Sequence, residues 1–296
     1  MCSSDLPAVG DLAGELIRVS SDSLGGQMSI DHLPLKAGLH RAHRELMGTV
    51  ATITVREVEA DRAQVAIGAA FDRLHEIDRR FSPYQEASEI SRIGRGELTV
   101  PDAHPEVTTV LEACEALRVE SGGRFSAWGF RADGRLDPSG YVKGWAIDEA
   151  ARILRAAPLH DFIVDIGGDA YAAGGPDPAR GWGIGIVDPS DRGAIVAPLE
   201  VRDRGVATSG LAERGEHVVD ARDGRAATEW SSITVVHPTA ARADAVATIA
   251  LLMGEDALGW IDRDPDAAAF AVHRDGRLAW TPRMERYLAG TVTRSR

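Results

Sequence analysis

The chain has 296 residues, and 33 basic against 45 acidic side chains leave a formal net charge of −12, a balance that argues against general nucleic-acid binding through a basic surface. Apolar residues at 44% and charged residues at 26% describe a soluble globular protein of one large domain or two modest ones. The longest apolar run, Ala245 to Met253, falls short of the roughly 18 residues that span a bilayer, and Cys2 and Cys114 are too few for a disulfide framework or a cysteine-based zinc site.

Residues 1–44 carry Ser, Gly, Asp and Pro without sustained periodicity, and they lack the charged start and apolar core of a secretory signal. The sequence therefore predicts a flexible lead and points to the cytoplasm. Alternation over Thr49–Val55 predicts the first strand. Ile67, Ala70, Phe71, Leu74, Ile77 and Phe81 recur at helical spacing, and Pro83 ends that helix. A second amphipathic helix runs from about Pro105 to Glu120, closed by Gly122 and Gly123, with Cys114 on its apolar stripe as a core residue. Lys143 to Ala157 reads as a third helix, followed by strands at Phe162–Ile166 and Trp182–Val187. A strand at Ile233–Val236 precedes a helix from about Thr239 to Met253, and Ala269–Thr281 reads as a hairpin turning at Asp275-Gly276. Mixed strands and helices without internal repeats predict an α+β protein with one continuous core, in a domain over 45–290 followed by a tail at 291–296.

Four segments carry groups suited to chemistry. In the helix ending at Met253 almost every residue after Arg242 is apolar, so the helix is expected to be buried, with Asp244 and Thr248 as its polar exceptions on one face. A buried carboxylate needs a partner or a metal, and an Asp–Thr oxygen pair suits a hard cation such as Mg²⁺. In the purely local alternative, Thr248 bonds back to the Asp244 carbonyl while Asp244 caps or pairs with an arginine. The stretch from Asp137 to Asp148 leads a glycine-bearing turn into a helix, a setting for phosphate or an ordinary loop capped by Asp137 or Ser139. It holds Lys143, which with Lys36 makes up the lysine content of the 33 basic residues. Gly167-Gly168 permits either a tight bend or close approach of a ligand or another backbone. His217 lies beside an apolar pair and Asp220, open to acid–base chemistry or to a structural role.

In order, the segments Leu46-Met47-Gly48-Thr49, Phe81-Ser82-Pro83-Tyr84, Ser88-Glu89-Ile90-Ser91-Arg92, Ser121-Gly122-Gly123-Arg124-Phe125, Asp137-Pro138-Ser139-Gly140, Lys143-Gly144-Trp145-Ala146, Gly167-Gly168-Asp169, Ala207-Thr208-Ser209-Gly210, His217-Val218-Val219-Asp220 and Ala243-Asp244-Ala245 with Thr248 resemble the FAD:protein FMN transferase family, or ApbE-like flavin transferases, over residues 46–285. The resemblance implies an α+β fold related to the tunnelling fold, with mixed antiparallel sheets and packed helices. It implies Mg²⁺ as cofactor, FAD as substrate, and transfer of FMN to a threonine hydroxyl of an acceptor protein with release of AMP. Carried over position by position, Asp244, Thr248 and the carbonyl of Gly140 look like metal ligands. FAD contacts fall on Met47, Tyr84, Arg124, Phe125, Ser126, Asp137, Lys143 and Val219, while His217 matches a histidine that activates the acceptor hydroxyl. Lys143 and Asp244, through its metal, complete the catalytic set. The chain departs from the family pattern at Ser126, where aspartate is usual, at Pro138 and Ser139, and at Asp220-Ala221-Arg222-Asp223-Gly224. Two other activities use the same residues: a Mg²⁺-dependent FAD pyrophosphatase giving FMN and AMP, and a non-catalytic flavin-binding protein.

Overall fold

The structure, a computed structural model, describes residues 17–19, 38–128, 134–210, 220–224 and 227–292. An eight-stranded antiparallel sheet forms its middle layer. The strands are β2 (Leu39–Leu46), β3 (Thr49–Arg56), β4 (Phe162–Ile166), β5 (Asp169–Ala173), β8 (Arg204–Gly210), β9 (Trp230–His237), β10 (Ala268–His273) and β11 (Leu278–Trp280). They lie in the order β11-β10-β9-β8-β5-β4-β3-β2. A three-stranded sheet packs on one face: β1 (Ile17–Val19) runs parallel to β6 (Trp182–Val187), which pairs antiparallel with β7 (Ile195–Val201). The opposite face carries the main helices, α1 (Ala60–Phe81), α3 (Pro105–Glu120), α4 (Ser139–Ala156) and α5 (Ala240–Met253), with the short α2 (Glu89–Gly94) and α6 (Ala257–Ile261) at the margins.

Strand pleating sorts the core. Successive side chains point to opposite faces, so Phe162 and Val164 meet the helical layer while Ile163 faces the small sheet. Val235 and Val236 divide in the same way, as do Ala269 and Phe270. The buried apolar residues accordingly form three clusters, not the one continuous core expected from sequence. Because central strands are covered on both faces, they read as apolar runs without alternation. That is why β5 and β8 leave no period-two signature. Helix α5 is enclosed almost all round, with every residue from Ala240 to Leu251 buried except Arg242.

Several sequence boundaries hold. Strand β4 and helix α3 match their predicted limits, and Cys114 is buried as expected, its thiol pushed up to about 12 by that burial. Others shift. Strand β1 and the first six residues of β2 stand in the segment before residue 45 that the sequence assigns to a lead. Strand β2 is an edge strand with several exposed polar residues, so its pairing with β3 leaves little apolar pattern to read. The rest of that lead, and residues 293–296 of the tail, lie outside the described residues. Helix α4 begins at Ser139 rather than Lys143, which puts Gly140 inside its first turn. Among the described residues, no helix is long and apolar enough to cross a membrane.

Candidate active site

Helices α4 and α5 run side by side, in opposite directions, along a ladder with a step of four residues. At one end an added Cβ on Gly140 would lie 3.9 Å from Thr248 Cγ2 and 3.1 Å from Phe125 Cε2. In the middle the Gly144 N–H donates to Asp244 Oδ2 at 3.1 Å. At the far end Asp148 accepts the N–H groups of Ala240 and Ala241 at 2.8 and 2.9 Å. Residues four apart share a helix face, so 140, 144 and 148 on one helix meet 248, 244 and 240 on the other. Close approach requires glycine at the centre: a Cβ on Gly144 would sit 2.4 Å from the Ala240 carbonyl oxygen.

This ladder carries the three residues offered for a cation, Asp244 and Thr248 by their residue types and Gly140 by the resemblance. Asp244 and Thr248 are buried at 1% and 0% exposure, and Gly140 is buried beside them. Thr248 Oγ1 is bonded to Ser209 Oγ at 3.1 Å, so its hydroxyl is turned to β8, where the local alternative has it bonding back to the Asp244 carbonyl. Among the described residues no group of three His, Cys, Asp or Glu is placed to hold a metal. The candidate set is instead one carboxylate, one hydroxyl and one carbonyl. All-oxygen donors with few carboxylates fit Mg²⁺, which keeps waters and takes substrate phosphate oxygens as further ligands.

Lys143 lies between Gly140 and Gly144 in sequence and reaches the sheet. Its Nζ pairs with Asp169 Oδ2 at 2.5 Å, and Asp169 Oδ1 accepts the Thr208 N–H at 2.9 Å. Asp169 therefore ties α4, β5 and β8 to one point. In the sequence it stands out only as the last residue of the Gly167-Gly168-Asp169 segment of the resemblance. The available signal was a carboxylate opening a strand whose five residues are all buried. Ser209 and Asp148 are further polar residues to which sequence reasoning gave no role at the site. Asp165, on the opposite sheet face, has Oδ2 enclosed without a hydrogen-bond partner; burial, reinforced by the Asp169 charge, pushes its carboxyl up to about 7. Burial likewise raises Asp148 to about 6, against the two N–H bonds it accepts.

The turns at this end of the sheet are tight. Gly167 and Gly168 join β4 to β5 with φ of 57° and 92°, and a Cβ on Gly167 would lie 2.8 Å from Thr49 Oγ1. The glycines thus admit a neighbouring chain segment, one of the uses open from sequence. That segment follows the β2–β3 turn, where Met47 holds φ of 55°. A left-handed conformation is costly for methionine and marks a constrained position. Asp78 accepts the Met47 backbone N–H.

The remaining predicted residues are spread wider. Phe125 is buried against Gly140, and Asp137 Oδ1 accepts the Ser139 N–H where α4 begins. Arg124 Nε stands 3.9 Å from Asp220, whose carboxyl is held low by Arg222 at 2.6 Å. Ser126 closes a local loop with Trp128, donating to its carbonyl and accepting its N–H. Tyr84, just past α1, is 79% exposed and is not drawn into the ladder. His217 and Val219 lie outside the described residues.

Comparison with known proteins bears on this arrangement. A family model described as the ApbE family matches residues 47–128 and 129–271. An FAD:protein FMN transferase of Klebsiella pneumoniae (strain 342) is 26% identical over 213 residues, covering 64% of this chain and 61% of the relative. One from Vibrio cholerae is also 26% identical, over 71% of this chain and 80% of the relative. The chain thus spans about three fifths of the length of the Klebsiella relative. Among solved structures, the flavin transferase ApbE from Vibrio cholerae superposes with a TM-score of 0.71 at 20% identity, over 84% of this chain and 100% of that one. The ApbE protein from Thermotoga maritima gives 0.76 at 21% identity, over 84% and 99%. These superpositions establish a shared fold.

Proposed function

This chain belongs to the ApbE family, and from that premise we propose that it transfers FMN from FAD to a threonine hydroxyl of an acceptor protein, with Mg²⁺ as cofactor and AMP as the second product. The observation that supports the reading is the α4–α5 ladder, in which buried Gly140 packs against Thr248 and the Gly144 N–H bonds buried Asp244, with Lys143 on the same helix.

A divalent cation held by those three groups supplies positive charge for the diphosphate that is cleaved. Lys143 adds a second, fixed charge near the phosphoryl oxygens. Asp169 holds its ammonium by an ion pair, so little reorganisation is needed as charge develops. Met47 and Tyr84 meet the ring systems of FAD, and Arg124, Phe125, Ser126, Asp137 and Val219 provide the remaining contacts. The threonine oxygen bonds to the FMN-side phosphorus while the bridging P–O bond to the AMP half breaks and AMP leaves with that electron pair. The hydroxyl proton passes to neutral His217, a general-base contribution of about 10²–10⁴-fold.

The test is incubation of the purified chain with FAD and Mg²⁺, with and without a flavin-acceptor domain. Flavin fluorescence on the denatured acceptor band is the expected outcome. FMN and AMP formed equally fast without acceptor would replace transfer by hydrolysis, and FAD retained unchanged would leave a binding protein.

A further inference from the structure

The ladder has one rung that touches none of the proposed ligands. Asp148 sits eight residues beyond Gly140 on α4, and its two carboxylate oxygens dock on the first two N–H groups of α5, from 92 and 93 residues away in sequence. A helix start leaves such N–H groups without intrahelical partners. Thr239 serves the next one locally, its Oγ1 accepting the Arg242 N–H at 3.3 Å. A local cap travels with its own helix. Asp148 belongs to the other helix, so its bonds fix where α5 begins relative to α4. The same end of α5 is confined from the sheet side, where a Cβ on Gly205 would lie 2.4 Å from the Ala240 nitrogen.

We propose that Asp148 is a positioning residue for the cation site: by pinning the start of α5 it sets the register in which Gly140 meets Thr248 and Gly144 meets Asp244. The inference rests on the cation reading of those residues. A slip of α5 by one residue shifts Asp244 and Thr248 by about 1.5 Å along the axis and turns them by about 100°, which takes both out of facing position with α4. The anionic carboxylate at a helix N-terminus makes the clamp stiff, since charge-assisted bonds and the helix dipole act together.

The experiment reads metal binding without turnover. Mn²⁺ takes oxygen ligands of the same kind as Mg²⁺, and its binding to the full chain is followed by loss of the free-ion EPR signal. Wild type is compared with Asp244→Ala, Asp148→Ala, Asp148→Asn and Val246→Ala. The last removes buried apolar volume from α5 on its far side and lowers stability without touching the ladder. Asp148→Ala should weaken Mn²⁺ binding by about 10–100-fold, the range for groups that orient metal ligands, and Asp148→Asn should recover part of that loss because its amide oxygen still accepts an N–H. Mn²⁺ affinity within twofold of wild type in both folded Asp148 variants overturns the proposal. So does an equal loss in Val246→Ala at matched melting temperature, since global loosening then explains it. Should Asp148→Ala fail to fold, Asp148→Asn decides by the same limits. If wild type and Asp244→Ala bind Mn²⁺ alike, the cation reading itself fails and this inference falls with it, a result separable from failure of Asp148 alone.

Discussion

Two regions of this protein concentrate polar groups, and they differ in what surrounds them. On the outer helical face Arg73 pairs with Glu106 and Glu149 at 2.6 and 2.8 Å, and Arg80 pairs with Glu106 and Glu89 at 2.6 and 3.3 Å. Arg73, Arg80, Glu89 and Glu106 line an open cavity of about 670 Å³ together with Arg79, Arg92 and His104. The α4–α5 ladder holds far fewer charges, but Asp244, Thr248 and Asp169 are all closed off from solvent. In the outer network the side chains are partly buried but face the open cavity, so solvent screens their ion pairs and weakens each of them. In the ladder an unmet polar group has no water to turn to, so each one constrains backbone position. The proposed site is therefore set apart from the outer network by the enclosure of a few oxygens between packed helices and not by density of charge.

Substitutions break the contrast from its strong end downward. Asp244→Ala removes the carboxylate from the ladder, and Mg²⁺-dependent transfer should fall by about 10³-fold, the scale of several kcal/mol of lost charge stabilisation; turnover at the wild-type rate would remove the assignment. Gly144→Ala places a Cβ against the Ala240 carbonyl and should cost about 1–3 kcal/mol of stability through overpacking. Urea unfolding measures it, and an unchanged midpoint would mean the helices are free to part.

A pH effect separates the enclosed carboxylates from the outer ones. Asp165 is raised from 3.8 to about 7, chiefly by burial, and Asp148 from 3.8 to about 6 for the same main reason. Between these values the folded chain binds more protons than the unfolded one, so stability declines as pH climbs through the window. Asp165→Asn should flatten the upper part of that decline, making the variant gain on wild type at pH 8 relative to pH 5; parallel curves would contradict it. The smallest effect is expected at the outer network. Arg80→Ala should cost no more than about 1 kcal/mol and leave Mn²⁺ binding at wild-type strength, whereas a metal defect there would erase the distinction between the regions.

Local order was legible wherever a single face carried the pattern. Helix α3 shows its stripe from Val107 to Leu117, and the β10–β11 hairpin announces itself by Asp275-Gly276. Buried α5 was legible too, because polarity is nearly absent from it. Strand β8 was not: Arg204-Gly-Val-Ala-Thr-Ser-Gly210 is covered on both sides and carries small residues that fit strand, turn or loop equally. Nor was α2, whose six residues depend on Ser88 Oγ accepting the Ser91 N–H.

The amino-acid sequence by itself determined the family, the α+β class, and the identity of the groups proposed to meet cation and substrate, since motif order and residue chemistry are properties of the chain. Only the tertiary structure decided that Gly140, Gly144 and Asp148 face Thr248, Asp244 and Ala240, that Asp169 holds Lys143, and that Met47 occupies a left-handed turn. These pairings join residues up to about a hundred positions apart. They arise from packing two helices at backbone contact, a geometry that local propensity does not encode.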